Sequence, residues 1–163
     1  MIAPDELHYR PVSDIDGPTL FRLFRQVHAG EIASLALDSA AREALACMQF
    51  VEQRLRTRAE FPDAVDLAIE HDDRLCGRIV TVLRDEGIHL LELSVLAEHR
   101  DQGIGSLAMQ RLARIADGHG CPIWLRADAD TGRSRGFLER AGFTVTGRDG
   151  RLLVAPAHRI AAA

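Results

Sequence analysis

Little in this chain could form a covalent staple, cross a bilayer or grip a polyanion. Its 163 residues include three cysteines, Cys47, Cys76 and Cys121. Their number is odd, their spacing wide, and no C-x-x-C pair occurs, so a disulfide framework is not expected and a reducing compartment is. No apolar run approaches the ~20 residues of a membrane span. The opening MIAPDELHYR has neither the basic nor the apolar region of a secretion leader, and the expected location is cytoplasmic. Twenty Lys and Arg against 24 Asp and Glu leave a formal charge of -4. A general nucleic-acid binder would carry a basic excess. Seven histidines are present, but no H-E-x-x-H and no His–Cys pair at ligand spacing, so no metal is assigned. Tyrosine is the scarcest aromatic together with tryptophan; the one tyrosine is Tyr9.

Apolar residues make up 47% and charged residues 27%, enough for one core in one domain spanning residues 1–163. The Ala-rich end, about 157–163, is expected to fray. His8 to Val12 reads as a short strand, and Ser13 and Asp14 as helix-cap types. Leu20, Phe21, Phe24, Val27 and His28 follow at helical spacing. A second helix starts at Asp38 or Ser39 and runs through Ala41, Leu45, Met48, Glu52 and Leu55. The FPD of Phe61 to Asp63 stops it, because proline disfavours helix in the residue before it. The period then changes to two. Val65, Leu67 and Ile69 alternate with Asp66, Ala68 and Glu70. HDDR is a turn, Leu75 to Leu83 a second strand, Asp85 to Gly87 a turn and Ile88 to Val95 a third strand. These form an antiparallel meander. Ile104, Leu107, Ala108, Leu112, Ile115 and Ala116 share one helix face, ended by Gly118 and Gly120. Ile123 to Ala127 is then a strand reached by a helical crossover, hence parallel to the strand ending at Val95. A helix over about Arg133 to Ala141 and a hairpin, Phe143 to Gly147 with Leu152 to Ala155, complete an α/β domain with a mixed sheet.

The stretch EHRDQGIGSL, Glu98 to Leu107, admits two phosphate-binding readings. GIGSLA fits the dinucleotide fingerprint G-x-G-x-x-A, with Asp128 and Asp130 after the next strand. In that fold, however, the strand runs almost straight into the first glycine, and here AEHRDQ intervenes. Alternatively, Arg100 to Gly105 is R-x-x-G-x-G, a loop that ends in a helix N-terminus. The first N–H groups of a helix lack intrahelical partners and lie at the positive end of its dipole, which suits a pyrophosphate. Glycines allow close backbone approach, and Arg100 adds charge.

On these residues the chain resembles the GNAT superfamily of acyl-CoA-dependent N-acyltransferases, best over Leu91 to Phe143. LSVLAEHRDQGIGSLAM is similar to its strand, pyrophosphate loop and helix, and FLERAGF to its later Gly-Phe signature. The resemblance implies a GNAT fold: one mixed, mostly antiparallel sheet with a central splayed parallel strand pair and helices on both faces. It implies that Ser94, Val95 and Leu96 pair with the pantetheine arm of acetyl-CoA. Arg100, Asp101, Gln102, Gly103, Ile104, Gly105 and Ser106 would wrap the pyrophosphate, with Thr131, Ser134 and Phe137 completing the cofactor side. An amine would attack the thioester directly near Glu92.

For the base, Glu92 is the first candidate and His89 the second; strict alternation puts them on opposite sheet faces unless a bulge intervenes. Each also has a plain reading as an ordinary strand residue. For the acid, the family's usual tyrosine position is Leu138, its asparagine is Thr131 and its alanine Ser134, so a tyrosine mechanism does not carry over. The expectation is an N-acetyltransferase acting on a primary amine, a small molecule or a peptide or protein amine. The alternative is a non-catalytic acyl-CoA-binding module; a homodimer is compatible with either. Arg54, Arg56 and Arg58 would meet an acidic substrate or form a solvated helix end, with Glu52 and Arg56 at i,i+4. Cys76 and Cys121 read as buried thiols.

Overall fold

A computed structural model describes residues 2–126, 132–148 and 151–156. The chain forms β1 (Leu7–Pro11), α1 (Gly17–Val27), α2 (Ala29–Ala33), α3 (Ser39–Glu60), β2 (Val65–His71), β3 (Arg74–Arg84) and β4 (Gly87–Val95). Then come α4 (Ile104–His119), β5 (Ile123–Arg126), α5 (Gly132–Arg140), β6 (Phe143–Arg148) and β7 (Arg151–Pro156). The local reasons are those of the sequence. The Asp38 carboxylate caps α3 by accepting from the Ala41 N–H at 2.8 Å, and the helix stops ahead of Pro62. Asp72 and Asp73 take φ of 51° and 56°, the left-handed pair that a tight β2–β3 hairpin needs.

The described strands form a seven-stranded sheet in the order β1-β2-β3-β4-β5-β7-β6. Only β4 and β5 run parallel; their neighbours pair antiparallel. One face carries Ile69, Ile79, Ile88 and Leu90 against Ile104, Met109 and Leu112 of α4, joined by Leu138, Phe143 and Val145. The opposite face meets α1 and α3, whose Leu20, Phe24 and Phe50 form a smaller cluster with Leu75. The Phe24 and Phe50 rings are tilted at 5.6 Å between centroids, a favourable aromatic geometry.

Two irregularities break the alternation. Ile69 pairs with Gly77 and Glu70 with Leu75, which makes Cys76 an extra residue in β3. Val80 pairs with Glu92 and Thr81 with Leu90, which makes Leu91 an extra residue in β4. Each inverts the face on which the following residues lie. Cys76 is fully buried and donates its thiol to the Ile69 carbonyl at 3.2 Å. Burial pushes this thiol up to about 11, so it is an inert packing group. Cys121 is only half-buried.

The N-terminal strand is tied to α1 by one ion pair. Arg10 donates to both oxygens of the buried Asp16 at 2.8 Å, and the Ser13 N–H donates to Asp16 Oδ2 at 2.8 Å. The Arg10 hydrogen bonds, with help from Ser13 and against the cost of burial, hold the Asp16 carboxyl far below its usual 3.8. The folded-state value is thus depressed, so the stability this group adds is complete above about pH 4 and is lost as pH falls. Asp16→Asn is expected to cost roughly 2 kcal/mol at pH 7. The gap between variant and wild type should narrow steadily between pH 4 and pH 2 in urea unfolding curves; a gap independent of pH would sever the link to this carboxyl.

Candidate active site

Residues 96–103 separate the end of β4 from the start of α4. That gap, in a sheet with one parallel pair, is incompatible with the dinucleotide fold, so the GIGSLA reading is discarded. Asp128 and Asp130, which it invoked, lie outside the described residues. The loop is held from both sides. Gln26 of α1 accepts from the Ala97 N–H at 2.7 Å, and Arg22 of α1 pairs with Glu98 at 2.9 Å. Gln102 donates to the Glu98 carbonyl at 3.1 Å, and Arg100 Nε donates to the Val95 carbonyl at 3.0 Å. Two expected ligand side chains therefore brace the loop.

What they brace is backbone. Asp101 and Gly103 take φ of 60° and 88°, and the chain enters α4 with no side-chain cap. The first helical bond is from the Leu107 N–H to the Gly103 carbonyl at 3.0 Å. The N–H groups of Ile104, Gly105 and Ser106 consequently have no acceptor among the described residues, the arrangement that receives an anion. The two glycines serve different needs. A Cβ on Gly103 would meet nothing within 4 Å, so its requirement is the positive φ. A Cβ on Gly105 would come 3.0 Å from the Phe137 ring. Phe137 thus backs the start of α4 and packs on the main core.

Below the loop the parallel pair separates. β4 and β5 are paired from Ile88/Ile123 to Leu90/Leu125 only. β4 continues to Val95, and Arg126 still pairs with Arg151 of β7. The last of these pairs immediately precedes the extra residue Leu91, and from Leu91 to Val95 β4 has no β5 partner among the described residues. Of the three residues expected there, Leu96 is committed elsewhere: its N–H donates to the Cys76 carbonyl at 2.9 Å, its carbonyl accepts from His99, and its side chain is fully buried. Alternation turns the backbone of Ser94, like that of Leu96, toward β3, so Val95 is the one of the three that faces away from β3, and its carbonyl accepts from Arg100. Ser134 stands in the first turn of α5, and Thr131 lies outside the described residues.

The bulge also places His89 and Glu92 on one face, opposite Val82 and Val80. His89 Nε2 is 3.2 Å from Glu86 Oε1, near the β3–β4 turn. Glu92 is at the centre of a charge network. Its Oε2 accepts from Arg78 Nη1 at 2.8 Å and its Oε1 from the Ser94 hydroxyl at 2.6 Å. Arg78 in turn donates Nε and Nη2 to the two oxygens of Asp66, both at 2.8 Å. Burial works against the Arg78 charge, but the Asp66 hydrogen bonds and the fields of Glu92 and Asp66 outweigh it and make it a firmer cation than a free arginine. Arg78 was not recognised as a site residue from sequence. The available signal was one arginine within the apolar run of β3, with acids in both flanking strands, Asp66 and Glu70 in β2 and Glu92 in β4.

The other face holds Tyr9. Burial raises its pKa, opposed by Arg111, whose guanidinium lies 4.5 Å from the ring centroid. Tyr9 pairs with Ile69 and borders an apolar groove with Leu112 and Ile115 of α4. The sheet itself separates it from Glu92. Leu138 is 3% exposed and belongs to the core. On the Glu92 face, a cleft of about 390 Å³ lies beside Arg78, between the C-terminal half of α3 and β2–β3; Val12, Arg54, Thr57, Arg58 and Val80 border it. A larger opening of about 530 Å³ between α1 and α3 is farther from this network; its Arg22 and Arg25 are paired with Glu98 and Glu43.

Comparison with known proteins agrees with this geometry. Residues 31–143 match the profile of the Acetyltransferase (GNAT) family. No curated protein matches the chain by sequence. Among solved structures, an acetyltransferase from Thermus thermophilus superposes with a TM-score of 0.63 at 20% identity, covering 92% of this chain and 96% of that one. The PaiA N-acetyltransferase from Thermoplasma acidophilum, in complex with coenzyme A, gives 0.62 at 18% identity, covering 91% and 96%. YncA from Salmonella typhimurium, with its cofactor acetyl-CoA, gives 0.54 at 15% identity, covering 93% and 94%. At these identities the structural likeness establishes the fold, and with the family match over most of its length the chain belongs to the GNAT acetyltransferase family.

Proposed function

We propose that this protein transfers the acetyl group of acetyl-CoA to a primary amine by direct attack, with a small molecule as acceptor. The observation that carries the reading is the uncapped start of α4, which follows the end of β4, a strand whose pairing with β5 stops at Leu90 among the described residues. Free helix N–H groups suit a pyrophosphate, and a strand edge suits the extended amide-bearing arm that follows it. Two of the structural neighbours hold coenzyme A or acetyl-CoA. In this chain the cradle residues are the backbone of Gly103, Ile104, Gly105 and Ser106, with Arg100 and Asp101 shaping the loop and Gln102 bracing it. The backbone N–H of Val95 faces the pantetheine.

In the reaction the amine nitrogen forms a bond to the thioester carbonyl carbon and the C–S bond breaks. A primary amine is mostly protonated at neutral pH, with a pKa near 10.4 for a lysine-like group, so it must lose a proton. Glu92 takes that role. Its carboxylate has two donors, Arg78 and Ser94, and a carboxylate accepts about four hydrogen bonds, so sites remain for an ammonium or a bridging water. His89 is the second candidate, nearer the Glu86 turn. No tyrosine on this face donates to the leaving sulfur, and the thiolate departs to water. The same lack favours a second reading, a non-catalytic acetyl-CoA-binding module. Release of CoA thiol with any member of a broad amine panel establishes the first; calorimetric binding of acetyl-CoA with no release across the panel establishes the second.

Two variants test the parts separately. Gly103→Ala and Gly103→Asp both place a side chain at positive φ, a strain of about 1–2 kcal/mol that is no greater for Asp than for Ala, in a space that is open. Only the aspartate adds charge beside the free N–H groups. Acetyl-CoA affinity is expected to fall at least tenfold further in Gly103→Asp than in Gly103→Ala by calorimetry; equal losses would remove the phosphate from this loop. Glu92→Gln should lower kcat by about 100-fold at pH 7.5, within the range for a lost general base. That deficit should shrink toward pH 10, where the amine is already free. A deficit that stays constant with pH would take Glu92 out of the proton transfer.

A further inference from the structure

We infer, resting on the acetyl-transfer reading, that the acceptor amine also carries a carboxylate or phosphate and that Arg54 and Arg58 of α3 bind this anion. The arginine run on α3 divides in the structure. Arg56 lies on the exposed side and pairs with Glu52. Arg54 and Arg58, one turn apart, instead border the cleft of about 390 Å³ beside Arg78. The Arg54 guanidinium lies 5.5 Å from the centroid of the Phe50 ring, itself part of the α1–α3 cluster. That contact fixes Arg54 at the cleft without spending its charge.

The charge count of the cleft leaves a cationic surplus. Its acid, Asp66, is engaged by two nitrogens of Arg78, and Arg78 also holds Glu92. Asp63, close by in sequence, is taken by Arg84 at 2.6 Å. Neither Arg54 nor Arg58 has a carboxylate partner among the described residues. Two uncompensated guanidinium groups thus face one concavity in a chain whose formal charge is -4. Basic residues near the end of a helix also complement its dipole, but that need is served equally from the outer side, where Arg56 stands. Guanidinium groups match the planar carboxylate and the phosphate better than any other side chain. The remaining walls, Val12, Phe61 and Val80, suit an apolar body between anion and amine. Arg78 borders this cleft and donates to Glu92, so the proposed base is one side chain away from the cleft that holds Arg54 and Arg58.

The test uses matched amines with and without an anion: phenylalanine against phenethylamine, and phosphoethanolamine against ethanolamine. CoA-thiol release is measured with the full chain, Arg54→Gln, Arg58→Gln and, as an outer-face control, Arg56→Gln. The anionic member of at least one pair is expected to have a KM at least tenfold below its neutral partner. Arg54→Gln and Arg58→Gln should each raise that KM by roughly tenfold, the scale of one charge-assisted hydrogen bond, and collapse the preference; Arg56→Gln should not. The better pair distinguishes carboxylate from phosphate. Equal KM values within both pairs, or equal losses for anionic and neutral amines, overturn the inference. Calorimetry of phenylalanine and phosphoethanolamine in the presence of CoA decides it independently of turnover. Binding lost in Arg54→Gln and Arg58→Gln supports it, and no binding of either compound overturns it. Failure of the transfer reading itself appears separately, as absence of thiol release with every amine.

Discussion

The site depends on one extra residue in one strand. Leu91 has no register partner in β3. At this point three things change together. The alternation of β4 is reset, so that Glu92 and Ser94 occupy the face already used by His89. The bulge bends the strand, and among the described residues its pairing with β5 ends at Leu90 and Leu125. The ladder between β3 and β4 then resumes at Val80 and Glu92, which brings Glu92 to the Arg78 side of the sheet. A flat β4 would have stayed zipped to β5, with no edge for an extended ligand and its carboxylate facing the α4 core.

Such a bend must be held, and the network around Arg78 is placed to hold it. Arg78 bridges β2 to β4 through Asp66 and Glu92, next to the bulge. Its side chain is 8% exposed, so the charge is expensive to bury, and an apolar residue of similar size could give equal stability. What an apolar residue could not do is set the direction of the Glu92 carboxylate. The ion pair trades stability for orientation, and it also ties that carboxylate to a cation. As the proposed base, a carboxylate so placed suits holding an ammonium and passing its proton on through water better than abstracting a proton from a weakly acidic carbon.

Much of this was legible in the sequence where local chemistry decides. The cap at Asp38, the stop at Phe61–Pro62, the Asp72–Asp73 turn and the end of α4 at Gly120 each follow from a residue and its immediate neighbours. The cradle was legible as well, since an uncapped helix start after R-x-x-G-x-G is a local feature. What the residues did not disclose was pairing across strands. The bulge at Leu91 leaves no mark in an apolar run such as HLLEL; only the register against β3 reveals it. Arg78 was passed over for the same reason, because its partners are 12 and 14 residues away in sequence. Arg100 and Gln102 were assigned to the ligand, yet the loop needed them first, to satisfy carbonyls at the end of β4 and at Glu98.

The two halves of the site are built on different principles, and this governs what each can recognise. The donor side is mainly backbone: helix N–H groups, a strand edge and a left-handed glycine. Backbone presents the same groups whatever the side chains, so it fits a part of the ligand that is itself constant, the pyrophosphate and pantetheine of CoA. The acceptor side is made of side chains projected from α3, β2 and β3, and each can be exchanged without disturbing a ladder hydrogen bond. On the proposed reading, specificity for the amine belongs to that side, and on it Arg54, Arg58 and Arg78 are the cations that border the cleft. Of these only Arg78 has a carboxylate partner among the described residues. In the proposed arrangement the other two leave a charge for a ligand to complete, while the backbone cradle sets where the acetyl group arrives.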